Sequence, residues 1–160
     1  MKLWVLRHGE AEPHGSKSHD SERALTAHGR EEVLRSAALL IGQPLTAIYA
    51  SPYLRAQETA QLVRDALGFE PEIRTVEWLT PETDPDKVAE QLVSVSNVLL
   101  VSHNPLVGNL LSLLGAHQLS AACAGWVFEH MLAGGFRTQI AANIAAGGAV
   151  DLSGIAEKYA

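Results

Sequence analysis

The chain has 160 residues, 47% of them hydrophobic and 19% charged, so it is long enough to bury one core and too apolar to be disordered. A formal net charge of −6, with no Lys/Arg cluster forming a continuous stripe, argues against a nucleic-acid surface. The single cysteine, Cys123, excludes an internal disulfide framework and any cysteine-rich zinc site.

The first apolar run, Lys2-Leu3-Trp4-Val5-Leu6, reads as a buried strand and ends in Arg7-His8-Gly9-Glu10. Its four apolar residues before Arg7 are too few for a signal peptide. The most apolar helical stretch, Leu106 to Leu114, is too short to cross a bilayer, and the cytoplasm is the expected location. Residues 10–24 carry Pro13, Gly15, Asp20 and several charges without periodicity and read as an exposed loop.

A helix begins after Thr26, a good N-cap, with Val33, Ala37 and Leu40 alongside Leu34, Ala38 and Ile41 as its apolar face. Gly42 and Pro44 stop it. The second strand, Thr46 to Ala50, runs into Ser51-Pro52, with Pro52 expected at the first helical position. The helix that follows extends to Leu67, turns Leu62, Val63, Ala66 and Leu67 inward, and ends at Gly68. Arg55 stands in its first turn, where a helix N-terminus already favours an anion.

Glu72 to Val76 reads as a short edge strand, and Asp84-Pro85-Asp86 starts a third helix that continues to Val95. The third main strand, Val98 to Ser102, is apolar enough to be covered on both faces. His103-Asn104-Pro105 then opens a fourth helix, capped by Asn104 and apolar nearly all round through Leu106, Val107, Leu110, Leu111 and Leu114. Ala124 to Leu132 and Phe136 to Ile140 fit a hairpin turned at Gly134-Gly135 or two helical stretches equally well. Strands alternating with helices imply one α/β domain over residues 1–160. Its architecture is a three-layer sandwich, a mainly parallel central sheet with helices on both faces.

In such sheets ligands bind beyond the carboxyl ends of the strands. Three polar punctuations fall there: Arg7-His8, Ser51-Pro52 with Arg55 just beyond, and Ser102-His103. Arg7, His8, Arg55 and His103 together make a pocket for a dianion with a nucleophile in it. Arginine donates in pairs and stays charged. A neutral imidazole can attack phosphorus when one ring nitrogen holds its proton on an acceptor. Nearby cations disfavour imidazolium and so keep the attacking form available.

Four segments resemble, in order, the blocks of the histidine phosphatase superfamily. They are Leu3–Ala11 with its Arg-His-Gly signature, Ala24–Gly29, Ala50–Ala60 and Val101–Pro105. The short length without insertions is most similar to the SixA-type phosphohistidine phosphatases. The resemblance implies that His8 is phosphorylated during the reaction and that Arg7, Arg55 and His103 line the phosphate pocket. Arg23 fits an arginine common in the family and is expected to support that pocket, although Ala24 replaces the usual proline. Glu10 and Glu77 are the carboxylates expected nearest to it, as candidates for a general acid.

No cofactor and no metal are expected, since the spacings of His14, His19 and His28 fit no ligand pattern. Trp4, Trp78 and Trp126 are expected to pack in the core or at the sheet edge. The expected partner is a phosphorylated protein or small phosphorylated substrate, met by a monomer without nucleic acid or membrane. Two other functions share the pocket: a small-molecule phosphatase or phosphoglycerate-mutase-like enzyme, and a non-catalytic phosphoprotein-binding domain. Only about 20 residues separate Val76 from Val98, enough for one helix at ~1.5 Å per residue and its loops, but not for a lid. A mutase needs such a cover to keep water out. A binding domain would need the arginines but not both histidines.

Overall fold

The computed structural model describes residues 3–68, 72–92, 95 and 97–117. Four strands, β1 (Leu3–Arg7), β2 (Ala47–Ala50), β3 (Glu72–Thr75) and β4 (Val98–Ser102), form one sheet in the order β1-β4-β2-β3, all parallel. Four α-helices connect or follow them: α1 (Ala27–Ala38), α2 (Leu54–Leu67), α3 (Pro85–Leu92) and α4 (Leu106–His117). Two short 3-10 turns lie at Asp20–Glu22 and Glu77–Leu79.

The layering follows from the direction of each crossover. The chain steps one way across the sheet from β1 to β2 and from β2 to β3, then back from β3 to β4. Parallel crossovers are right-handed, so the reversal sends α3 to the face opposite α1 and α2. Accordingly α1 packs on α2, and α3 packs on α4. This is the three-layer α/β sandwich that the alternation of elements implied.

Strand β4 lies inside the sheet and all five of its residues are buried, as are all four of β2. Their continuous apolar character follows from helices covering both faces. Trp4 is among the largest fully buried side chains, whereas Trp78 is partly buried edge-on to Tyr49. Val101 is level with Leu6 on one side and Ala50 on the other, so β1, β4 and β2 end together. The ladder continues one step past the strands, with His8 N–H donating to Ser102 O at 3.0 Å and Ser51 N–H to Val101 O at 3.1 Å.

The helices depart from the sequence reading in which faces they bury. Thr26 caps α1 as expected, accepting from Gly29 N–H at 3.0 Å, but of the expected apolar face only Val33, Ala37 and Leu40 turn inward. Leu34 is 47% exposed, Ile41 is 65% exposed and Ala38 also faces out. A helix lying flat on a sheet contacts it along one stripe, and the second apolar row falls outside it. In α2 the inward residues are Ala56, Thr59, Ala60 and Val63, with Leu62 and Leu67 only partly covered and Ala66 exposed. Its N-cap is Tyr53, so Pro52 stands before the helix rather than at its first position. Gly68 ends α2 at φ 68°, the left-handed conformation that favours glycine at this place.

Helix α3 is described as far as Leu92, and Val95 lies outside it. In α4, Gly108, Asn109 and Ser112 are exposed, so the helix is buried along one side only. Asn104 does not cap it: its Oδ1 is buried without a hydrogen-bond partner, and His103 O accepts from Val107 N–H at 2.8 Å. The side chains of Leu111 and Leu114, and the two segments between Ala124 and Ile140, lie outside the described residues. Among the described residues no helix is long and apolar enough to cross a membrane.

Candidate active site

The strand ends carry Arg7, His8 and His103 to one edge, and Arg55 in the first turn of α2 reaches the same place. The rings of His8 and His103 are 5.0 Å apart between centroids. Arg55 Nε donates to His8 Nε2 at 3.2 Å. His8 Nδ1 lies 2.7 Å from Gly9 O, and a carbonyl can only accept, so the ring proton sits on Nδ1 and Nε2 carries the lone pair. All four residues named from the sequence therefore stand at one sheet edge.

Gly9 is explained by close approach rather than by a turn. Its φ is not in the left-handed region, but a Cβ there would collide with Gly29 O and, at 2.9 Å, with Val33 Cγ2. A Cβ on Gly29 would in turn collide with Glu10 O. Two glycines thus let the segment after β1 lie directly on α1. Gly9 N–H donates to Thr59 Oγ1 at 3.3 Å, and that hydroxyl donates to Arg55 O at 2.8 Å. The backbone beside His8 is thereby tied to the helix that carries Arg55.

The loop over residues 10–24 folds back on itself. Ala11 bridges Leu25, Glu12 N–H donates to Ala24 O at 2.8 Å, and Thr26 N–H to Glu10 O at 2.9 Å. Glu58 of α2 anchors the returning limb by accepting from Leu25 N–H at 2.7 Å and Arg30 Nη2 at 2.9 Å. This fold sets Asp20 over the start of α2. Asp20 Oδ2 accepts from Arg55 Nη2 at 2.9 Å, its carbonyl from Arg55 Nη1 at 2.8 Å, and Oδ1 from Arg23 Nε at 2.8 Å. Arg23 also donates to Glu12 O at 2.6 Å. Arg23 is thus buried at the site, held on the same carboxylate as Arg55.

The electrostatics follow from this crowding of cations in a dry place. Burial lowers the pKa of His8 to about 4, helped by Arg55, Arg7 and Arg23 and opposed by the Gly9 hydrogen bond. Burial likewise lowers His103 to about 2, with His8 and Arg55 adding to the effect. Burial works against ionisation of Asp20, yet the hydrogen bonds from Arg55 and Arg23 outweigh it and its pKa is lowered. Both imidazoles are therefore neutral at pH 7, and the carboxylate between the arginines is charged.

A measurable consequence is that the His8 ring does not titrate near its usual pKa of about 6.5. Nuclear magnetic resonance should find it neutral at pH 5.5, with protonation only around pH 4. The sign for stability is the same. The unfolded chain takes up these protons first, so stability falls as pH drops from about 6.5 toward 4. A denaturation midpoint unchanged between pH 7 and pH 5 would contradict the burial of these rings.

A cavity of about 400 Å³ opens beside His8, walled by Arg7, His8 and Arg23, by the carboxylates Glu10, Glu12 and Glu32, and by His14 and His28. Arg55 and His103 lie behind that wall, 3% and 1% exposed. Glu10 is thus near the pocket as expected, with Thr26 Oγ1–H donating to its Oε1 at 2.7 Å. Glu77 is not; it lines a separate hollow with Trp78, Glu82 and Lys87. The 3-10 turn that carries it is tied to the end of β4, with Ser102 Oγ–H donating to Leu79 O at 2.7 Å, but Glu77 itself does not line the cavity. Glu10, His28 and Glu32 offer oxygen and nitrogen atoms within 4.8 Å of one another, a proximity that sequence spacing concealed because Glu10 precedes α1.

Asp20, Ser51, Tyr53 and Thr59 were given no role from sequence. Tyr53 packs edge-on against His103 at 4.9 Å and under the Arg55 guanidinium at 4.9 Å. Thr59 had a legible signal, standing four residues after Arg55 on the same helix face. Asp20, in a loop without periodicity, had only its position three before Arg23.

The histidine phosphatase superfamily (branch 1) model matches residues 3–79. The chain is 35% identical over 119 residues to the phosphohistidine phosphatase SixA of Escherichia coli K12, covering 70% of this chain and 73% of that protein. It is 34% identical to the SixA homolog of Haemophilus influenzae, covering 70% and 76%. Among solved structures, the protein histidine phosphatase SixA complexed with tungstate superposes with a TM-score of 0.65 at 35% identity, covering 71% of this chain and 76% of that one. Kinship across more than two thirds of each relative, on the same parallel sheet, establishes that the chain belongs to the histidine phosphatase superfamily.

Proposed function

We propose that the protein is a phosphatase that hydrolyses phosphohistidine on other proteins by way of a phosphohistidine formed on its own His8. The observation that carries this reading is the tautomer of His8. With Nδ1–H bound to Gly9 O, Nε2 keeps the ring's lone pair, which accepts from Arg55 Nε until a phosphoryl group draws that guanidinium to its own oxygens, and the ring lines a cavity with Arg7 and Arg23. In the first step Nε2 attacks phosphorus and the substrate's N–P bond breaks, its imidazole keeping or taking a proton from water. In the second, water attacks the phosphorus on His8 and inorganic phosphate leaves. Arg7, Arg55 and His103 bind the phosphoryl oxygens in both steps, and Arg23 supports Arg55 through Asp20.

The choice of a nitrogen leaving group rests on the carboxylates. An alkoxide needs a general acid, whereas the imidazole of phosphohistidine does not. Glu12 in the cavity wall accepts from Ala24 N–H, its pKa is lowered mainly by that bond, and Asp20 is lowered as well. Both are held as bases, and the one sequence candidate at the cavity, Glu10, already accepts from Thr26 Oγ1–H through Oε1 and is not positioned as a proton donor. The stretch between β3 and β4 forms the turn Glu77–Leu79 and α3, and α3 packs on α4 rather than over the cavity. Among the described residues nothing between β3 and β4 covers the cavity, and a site open on that side admits a histidine standing off a protein surface and suits hydrolysis better than a mutase. The relatives named as phosphohistidine phosphatases point the same way.

With this reading goes a single domain over residues 1–160 that works as a cytoplasmic monomer, away from nucleic acid and membrane, in keeping with its net charge of −6. It also works without a metal, because Arg and His groups supply the positive charge. Activity should survive dialysis against a strong chelator; loss that a divalent ion restores would contradict it. The test of substrate class compares kcat/KM for a phosphohistidine protein, a phosphoserine peptide and a sugar phosphate. Phosphohistidine should lead by about a hundredfold or more, the usual weight of general acid catalysis that the others lack here. A sugar phosphate that matched it would reveal an effective acid and overturn the assignment.

A further inference from the structure

The hydrogen bonds around His103 leave one atom unaccounted for. The ring is fully enclosed, with Nε2 2.7 Å from Ser51 Oγ, while Nδ1 is buried without a hydrogen-bond partner. Ser51 is equally enclosed, and its polar groups are committed: N–H to Val101 O, carbonyl to Gln57 Nε2 at 2.7 Å, and Oγ accepting from Tyr53 N–H at 3.3 Å. What remains is one hydroxyl proton and one imidazole proton.

A neutral imidazole has a single N–H, so two arrangements exist. If Nε2–H donates to Ser51 Oγ, the hydroxyl proton has no acceptor and Nδ1 becomes a bare, buried lone pair on a ring 5.0 Å from that of His8. If Ser51 O–H donates to Nε2, the hydroxyl both gives and accepts, and the remainder is an Nδ1–H with no protein acceptor. The second arrangement leaves fewer buried groups unpaired, and its one spare donor matches a phosphoryl oxygen. Neutrality is favoured by burial and by the neighbouring Arg55, which lower the pKa of His103.

We propose that Ser51 is a positioning residue: it donates its hydroxyl proton to His103 Nε2 and so fixes that ring with Nδ1–H free for the transferring phosphoryl group. The assignment rests on the reading of His103 as part of the phosphate pocket. Both site imidazoles then share one tautomer, set by opposite devices. Gly9 O accepts from Nδ1 of His8, which bares a nucleophile at Nε2; Ser51 donates to Nε2 of His103, which leaves a donor at Nδ1. A free imidazole in water prefers the other tautomer, so the hydroxyl has a bias to overcome.

Long-range proton–nitrogen correlation on the unliganded, imidazole-labelled protein reads the tautomer directly and needs no substrate. His103 should be Nδ1–H at pH 7; an Nε2–H signal in wild type would overturn the proposal. Ser51→Ala should shift the ring to Nε2–H and lower kcat about a hundredfold, the effect of losing one oxyanion donor. Ser51→Thr should restore the tautomer and most of the rate. Should Ser51→Ala fold poorly, the wild-type spectrum still decides. Wild-type kcat retained by a folded Ser51→Ala would count against the proposal. An Nδ1–H tautomer in a protein that does not hydrolyse phosphohistidine would support the Ser51 bond and overturn the substrate reading instead.

Discussion

His8→Ala should abolish turnover and leave the protein folded. His8 lines the cavity beside Arg7 and Arg23, its Nδ1–H held on Gly9 O and its Nε2 lone pair facing the Arg55 guanidinium, a pairing that the other cavity histidines, His14 and His28, do not have. His103 Nε2 is engaged by Ser51, and the hydroxyl of Thr59 donates to Arg55 O. With the nucleophile gone, the rate should fall by about 10⁴-fold or more, as when a triad nucleophile is removed. The fold should persist because the backbone bond from residue 8 to Ser102 O does not involve the side chain. An alanine also removes a buried imidazole that resists protonation, so the variant should be relatively more stable in mild acid. Turnover with phosphohistidine protein and thermal unfolding at pH 7 and pH 5 check both halves. A folded His8→Ala enzyme with wild-type turnover would rule out the covalent mechanism.

Arg55→Ala should lower kcat/KM by about 10²- to 10³-fold, the range for removing a donor that meets charge developing in the transition state. Arg55 ties several parts of the site together. Its Nε engages the nucleophile, its two Nη groups hold Asp20, and its side chain lies over Tyr53. Its loss leaves the Asp20 carboxylate without that guanidinium, and Asp20 is exposed enough for water to replace the lost bonds. The fold should therefore tolerate the change. Arg55→Lys should recover little, because a single ammonium cannot serve His8 and both oxygens of Asp20 at once. Since the incoming phosphoryl and Asp20 compete for one guanidinium, Asp20→Asn should have a smaller effect than Arg55→Ala. Equal kcat/KM for wild type and Arg55→Ala would separate the start of α2 from the phosphate pocket.

What could be read from the sequence is what the strands dictate. Val98–Val101 and Ala47–Ala50 are apolar on both alternating faces, which only a helix-covered parallel sheet accommodates, and their polar terminators then have to share one edge. That logic located Arg7, His8, Arg55 and His103. What it could not locate is set by loops and by single-stripe packing. Leu34 and Ile41 continue an apolar pattern that the flat contact of α1 does not use. Asn104 is a good capping residue by type, but the carbonyl of His103 takes the N–H it would have served. Asp20 reaches Arg55 only because the loop doubles back through the Ala11–Leu25 bridge, and no periodicity records such a turn. Gly9 could be read as a turn residue, whereas only the approach of Gly29 and Val33 shows why a side chain is excluded.

The central claim is that the phosphoryl group rests on His8 between the two chemical steps. Brief exposure to a radiophosphate-labelled phosphohistidine protein, quenching in alkali and mapping of the enzyme's peptides tests it most directly. The label should appear on the peptide carrying His8, stable in base and lost in acid, and should be absent from His8→Ala. Label on any other residue, or full turnover with no label on the enzyme under conditions that trap histidine phosphate, would contradict it.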